Sequence, residues 1–250
     1  MQLKGGSKLK QYNRSIKESL ELLTSFRLEQ KDPDSFYGLL AVDGIKMLDN
    51  FVPLNNKTVL DIGGGAGYFS AALRAYGANC YVVEPFMSEL YWRGTAPENA
   101  ICGDGYCLPF RDKSIDVAFS SNVLEHVERP FEFVKELIRI TKRGGTVFFC
   151  FTNWYSPWGG HETSPWHFIG GEYALKRYET KYRKDVKNVY NESLFKIHVG
   201  TVLREIKKLD SVEIVDTSPR YLPKFGKIVL KMPIIREVIT WNLAVTLRVK

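Results

Sequence analysis

The sequence has no run of about 18 apolar residues, so no segment reads as a membrane span. Residues 1–10 are polar and basic with no apolar stretch behind them, so no secretory leader is expected. Cysteine is scarce. Cys80, Cys102, Cys107 and Cys150 form no CxxC pair, which argues against a disulfide framework or a structural zinc site and for reduced core thiols in a cytoplasmic protein. No internal repeat or low-complexity tract occurs. Extended disorder is excluded as the dominant state, because 44% of the 250 residues are hydrophobic and 13% are aromatic. Charge of one sign accumulates in one place only. Residues 153–250 carry 17 Lys/Arg against 10 Asp/Glu, whereas residues 57–152 carry 10 against 11. The net charge of +7 permits nucleic acid, phosphorylated substrates or an anionic membrane as partners and does not choose among them.

What is present is a regular alternation. Residues 9–27 place Ile16, Leu20 and Leu23 at helical spacing, and residues 36–51 do the same with Leu40, Ile45 and Leu48. Short β-rich runs then recur at residues 57–62, 80–83, 100–102, 115–120 and 146–151, with helical stretches after the first (68–76) and the fourth (through 140). This pitch predicts an α/β fold: a doubly wound, Rossmann-like, mostly parallel sheet with helices on both faces. Residues 212–217 and 243–249 read as two late strands, seven in all, with the last expected as a reversed, antiparallel edge. The chain divides accordingly: an N-terminal helical segment (1–56), the Rossmann-like core (57–152), an insertion after strand 5 (153–193) and a C-terminal completion of the sheet (194–250). The insertion is rich in Trp, Tyr and Gly and too long for a plain connection, so it reads as a functional lid.

The first strand ends in Asp61 and runs into Gly63-Gly64-Gly65-Ala66-Gly67. Such a loop brings a ligand close to the backbone. A dinucleotide fingerprint counted from Gly63 would put Tyr68 where Gly or Ala belongs, and Asp61 would repel a pyrophosphate. A ligand carrying an ammonium group and no phosphate suits that carboxylate better. The run Val59-Leu60-Asp61-Ile62-Gly63-Gly64-Gly65-Ala66-Gly67 resembles the first motif of class I S-adenosylmethionine-dependent methyltransferases. Glu84 ends the second strand, where that family's acidic residue holds the ribose hydroxyls. Gly103-Asp104-Gly105 with Leu108-Pro109-Phe110 is similar to its adenine-contacting segment, and residues 115–127 are similar to its fourth-strand signature. The likeness is to the methyltransferase type 11 group, which includes ubiquinone and menaquinone methyltransferases. It implies S-adenosyl-L-methionine as cofactor, with Asp61, Gly63, Gly65, Glu84, Asp104, Gly105, Leu108 and Asn122 around it.

Ligands of open α/β sheets bind outside the carboxyl ends of the strands, so the acceptor side should be formed by residues following strands 4 and 5. A base for a hydroxyl acceptor is expected there. His161, with Glu162 adjacent to orient it, is the first choice and His126 the second, although either imidazole could simply pack its own segment. Trp154, Tyr155, Trp158, Trp166 and His167 are expected to line the acceptor pocket. A metal site from His161, Glu162 and His167 matches no standard spacing, and none is expected. The Asp/Asn-Pro-Pro-aromatic tetrad of base-amino methylation is absent after strand 4, as is any Pro-Cys nucleophile. Nucleic acid is therefore disfavoured, and a small-molecule, glycan or lipid-linked acceptor methylated at oxygen is expected. A non-catalytic cofactor-binding role fits an elaborate acceptor loop poorly. The basic stretch at residues 176–187 could contact phosphate or RNA, or could be a solvated face. Lys224, Lys227, Lys231 and Arg236 alternate with apolar residues, a pattern that packs on the core or lies on an anionic membrane as a peripheral contact.

Overall fold

The computed structural model describes residues 14–29 and 31–250. Helix α1 (Ile16–Ser25) begins at a capping box in which Ser15 and Glu18 satisfy each other's backbone N–H groups. Residues 9–13 of the expected helix lie outside the described residues. Helix α2 (Pro33–Asp49) starts with Asp32 as N-cap and Pro33 at its first position. The expected inward stripe on α1 needs correction: Ile16 and Leu20 are exposed, while Ser19, Leu22 and Ser25 are buried. An ion pair beside α1 joins buried Arg14 to Asp43 of α2 at 2.5 Å, and the two small serines suit a closely packed face.

Seven strands form one sheet in the order β3-β2-β1-β4-β5-β7-β6. They are β1 (Thr58–Ile62), β2 (Asn79–Glu84), β3 (Ala100–Cys102), β4 (Ile115–Ser121), β5 (Thr141–Thr152), β6 (Val212–Pro219) and β7 (Asn242–Val249). The expectation of an antiparallel final strand holds, but its place does not. Strand β7 runs antiparallel between β5 and β6, so β6 is the edge. The burial of β7 agrees with an interior place, since seven of its eight residues are buried. Helices α1, α2 and α3 (Tyr68–Ala75) cover one face, burying Phe36, Leu40, Ile45 and Phe69 against it, and a single turn, α4 (Met87–Leu90), follows β2. Helices α5 (Pro130–Ile140) and α7 (Val199–Ile206) cover the other, with Phe133, Leu137 and Val202 among the buried side chains.

Three further features differ from the sequence reading. The helical stretch after β4 is broken, because Pro130 starts α5 afresh behind a short turn at Leu124–His126. Strand β5 begins at Thr141 rather than 146, and pairing with β4 resumes past a register shift. Residues 153–193, expected only as a long lid, carry secondary structure of their own: 3-10 turns at His161–Thr163 and Trp166–Phe168 and helix α6 (Gly171–Tyr182). The thiols also divide. Cys80 and Cys150 are buried, whereas Cys102 and Cys107 are exposed rather than core residues. No helix among the described residues is long and apolar enough to cross a membrane.

The strand order reverses between β1 and β4, and the crevice of a doubly wound sheet opens at such a switch. Ser120 Oγ donates to the Ile62 carbonyl at 2.9 Å and ties the two strand ends together there.

Candidate active site

Strand β1 delivers Asp61 to this crevice with its side chain buried. Residues Gly63 (φ 72°) and Gly65 (φ 47°) then take the left-handed backbone that glycine tolerates best. A Cβ on Gly63 would overlap the Val123 side chain, so the glycine loop sits directly on the turn that leaves β4. At Gly65 a Cβ would meet nothing within 4 Å. Glu84, at the end of β2, accepts from Gly65 N at 3.2 Å through Oε2 and from Phe86 N at 3.3 Å through Oε1. Burial raises its pKa, and these two N–H groups pull it back. Burial, and then the Glu84 charge, push Asp61 up to about 7, and its Oδ2 has no hydrogen-bond partner.

The orphaned carboxylate oxygen of Asp61 packs under Gly64, where a Cβ would stand 2.6 Å from it, and the space over the next residue, Gly65, is open; together they fit a ligand with an ammonium group. Glu84 keeps free lone pairs for a diol, because each of its oxygens accepts only one backbone bond. S-adenosylmethionine carries both groups, so these residues fit it: Asp61 would hold the methionine ammonium and Glu84 the ribose.

The remaining expected cofactor residues are less open. Asp104 is exposed, and its Oδ1 accepts from Tyr106 N at 2.8 Å. A Cβ on Gly105 would lie 2.5 Å from the Phe133 ring, so glycine there serves close packing. Leu108 is buried in the α5 face of the core. Asn122 has φ 58°, and its Oδ1 accepts from Asn242 Nδ2 at 2.8 Å, so the side chain braces the end of β4 against β7.

Beyond Val123 the chain presents Glu125 and His126, and the insertion brings His161 to them. One ligand-capable atom from each of the three lies within 4.8 Å of the others. Glu125 is 1% exposed; its Oε1 accepts from Thr152 N at 2.9 Å and its Oε2 has no partner. His126 Nδ1 lies 2.7 Å from the Ser193 carbonyl. A carbonyl only accepts, so Nδ1 carries the proton and Nε2 the lone pair. His161 Nε2 is buried without a partner, and burial, with His126 next, drives its pKa down to about 3. The carboxylate gathered with His161 is therefore Glu125. Both Glu162 oxygens instead accept from Asn188 Nδ2 at 3.0 Å, which ties one part of the lid to another. Glu125 was visible in the sequence beside His126, but nothing in the spacing marked it.

The aromatic residues of the insertion do not converge on one pocket. Trp154 is buried against His167, whose Nε2 donates to the carbonyls of Trp154 (3.0 Å) and Ser156 (3.2 Å), so both residues build the loop itself. Trp158 lies between Phe26 and Trp241. Tyr155 is exposed and stacks on His198. Exposed Trp166 lies under the Arg177 guanidinium of α6, at 3.9 Å. The insertion does reach across the crevice: Lys187 pairs with Glu89, just past Glu84, at 2.9 Å.

One residue the sequence did not mark is Arg220, after β6. Fully buried, it donates to Ser121 Oγ (3.0 Å) and the Leu40 carbonyl (2.8 Å), with Asp43 at 3.7 Å. It joins the N-terminal helices to the floor of the crevice. Gly44 makes room for it, since a Cβ there would stand 2.7 Å from Arg220 Nη2.

Comparison with known proteins agrees with this geometry. The family described as Methyltransferase domain (type 11) matches residues 60–149. An uncharacterized methyltransferase of Mycobacteroides abscessus is 37% identical over 247 residues, covering 94% of this chain and 95% of the relative. One of Mycobacterium tuberculosis is 37% identical over 243 residues, covering 93% and 95%. Among solved structures, an S-adenosylmethionine-dependent methyltransferase of Mesorhizobium loti shares the fold. Its TM-score is 0.54 at 17% identity, covering 79% of this chain and 93% of that one. With a cofactor cradle at the switch point and relatives along nearly its whole length, the chain belongs to the type 11 family of class I S-adenosylmethionine-dependent methyltransferases.

Proposed function

We propose that the protein methylates a hydroxyl oxygen of a small-molecule, glycan or lipid-linked acceptor, with His126 as the proton acceptor. The observation that carries this reading is the convergence of Glu125, His126 and His161 beside the glycine loop. Bound S-adenosylmethionine supplies an activated methyl group on a sulfonium centre. The chain must then align the acceptor, exclude water and take up a proton. Each requirement has a residue. The proton of the acceptor hydroxyl passes to His126 Nε2 as its oxygen takes the methyl; burial raises the Glu125 pKa, and the imidazolium formed beside it favours the carboxylate that in turn stabilises that charge. His161, with a pKa pushed down to about 3, stays neutral and is a poor base, so the role first expected of it moves to His126. The lid residues, tied across the crevice by Lys187, shield the reaction from water.

The test is turnover at saturating cofactor. His126→Ala is expected to lose at least about 10²-fold in kcat with cofactor affinity retained, the usual worth of a positioned base. Loss in His161→Ala alone would return the role to His161. Full activity in both variants would mean an acceptor that is already nucleophilic, such as an amine, and would end the O-methylation reading. A second reading, a divalent cation on the same three donors, is favoured by the two unpartnered atoms, Glu125 Oε2 and His161 Nε2. Activity lost to a chelator and restored by one divalent metal would select it.

A further inference from the structure

The segment between β6 and β7 is turned inside out. Its first half, a 3-10 helix at Lys224–Lys231, lines up residues three apart. One row, Gly226 and Val229, is buried, while the next, Phe225 and Ile228, points outward at 70% and 67% exposure. Its second half, α8 (Pro233–Ile239), has Ile234, Ile235, Val238 and Ile239 on one helical face, and all four are exposed, Ile234 at 82%. The acidic residue of α8 faces in: Glu237 accepts from the N–H groups of Val199 (3.0 Å) and Gly200 (2.7 Å) and caps α7. An isolated exposed isoleucine needs no explanation, but six large apolar side chains gathered on one short segment do.

Charge and position choose the partner. Lys224 and Lys231 are exposed on the same segment, and its one acidic side chain, Glu237, is spent on the cap. The surface is thus apolar with a purely basic fringe, which complements an anionic bilayer. The segment hangs from the active end of the sheet. It leaves β6 at Pro219 and enters β7 at Asn242, which pairs with Thr152 at the end of β5 and hydrogen-bonds Asn122 at the end of β4.

We infer that this face is a docking surface for an anionic lipid bilayer, which brings the mouth of the crevice to the membrane and makes the acceptor lipid-linked. The docking stands on the surface itself; the acceptor class rests on the methyl-transfer reading of the crevice. Docked side chains enter the headgroup region, Phe225, Ile228 and Ile234 foremost, while Lys224 and Lys231 meet anionic headgroups.

The experiment is flotation of the full chain with vesicles of phosphatidylcholine alone or with phosphatidylglycerol. Binding at least tenfold tighter to the anionic vesicles is expected, weakening as salt rises and the Debye length shrinks. Ile228→Glu with Ile234→Glu should lower vesicle binding at least tenfold. Lys224→Glu with Lys231→Glu should do so too, since each basic residue near such a surface contributes roughly fivefold. Calorimetric titration with S-adenosylmethionine should be unchanged in both double variants, which shows that they fold and separates this inference from the methyl-transfer reading. Failure of the wild-type chain to float would overturn the inference. So would double variants that float as well as wild type, or an apolar face that instead pairs two copies, seen as a dimer that Ile228→Glu and Ile234→Glu dissociate.

Discussion

Replacing Asp61 by Asn should make the free protein more stable and the cofactor site worse. The carboxyl is buried, with one oxygen unpartnered, and its pKa rises from 3.8 to about 7. Over the pH window between those values the folded chain holds a proton that the unfolded chain has released. Stability therefore falls as pH rises through the window. A shift of about 3 units corresponds to up to about 4 kcal/mol, fully expressed only above pH 7. Asn keeps the shape and removes the ionisation. In urea unfolding without cofactor, Asp61→Asn should be the more stable form at pH 8, and the two proteins should converge near pH 4. Cofactor affinity should move the other way, because the variant loses a charged partner for the ammonium, worth about 1.5–3 kcal/mol. A variant that is less stable than wild type at pH 8, or that binds S-adenosylmethionine at full strength, would refute the assignment of Asp61 as a strained carboxylate awaiting a cation.

Three other outcomes follow from the same geometry. Glu84→Ala should weaken cofactor binding by about 1.5–3 kcal/mol in calorimetric titration, the worth of hydrogen bonds to an ionised acceptor; unchanged binding would misplace the ribose. Gly65→Ala should cost the free fold only the left-handed backbone strain of about 1–2 kcal/mol, since its Cβ meets nothing. The same methyl would stand in the cofactor cradle, so binding should fall far more than stability. Arg220→Met should lower the unfolding free energy by about 3–5 kcal/mol, because it strips partners from Ser121, Leu40 and Asp43 in a buried setting; a loss below about 1 kcal/mol would mean the N-terminal helices dock without it.

The sheet was legible because each signal was local. Strand runs of three to seven residues, the glycines after Asp61 and the acidic end of β2 all lie within a few residues of what they determine. What could not be read depended on partners distant in sequence. The place of β7 between β5 and β6 is set by pairing across some 90 residues, which an apolar run does not encode. Glu125 and His161 meet only because the insertion folds back over the end of β4. Trp154 and His167 look like pocket residues by composition, yet their hydrogen bonds and packing build the loop. Arg220 gave no signal at all, since a lone arginine after a strand is usually exposed. The segment at Lys224–Lys231 shows the opposite case: its alternation of basic and apolar residues was plain, but the two roles that pattern allows differ only in which way the side chains face.

The most direct test of the account is methyl transfer from methyl-labelled S-adenosylmethionine to a lipid extract presented on anionic vesicles. Label is expected in the organic-extractable fraction, in a base-stable ether linkage, with transfer reduced at least about 10²-fold by His126→Ala. Label that resides only in aqueous or amine-linked products, or transfer that His126→Ala leaves intact, would contradict it.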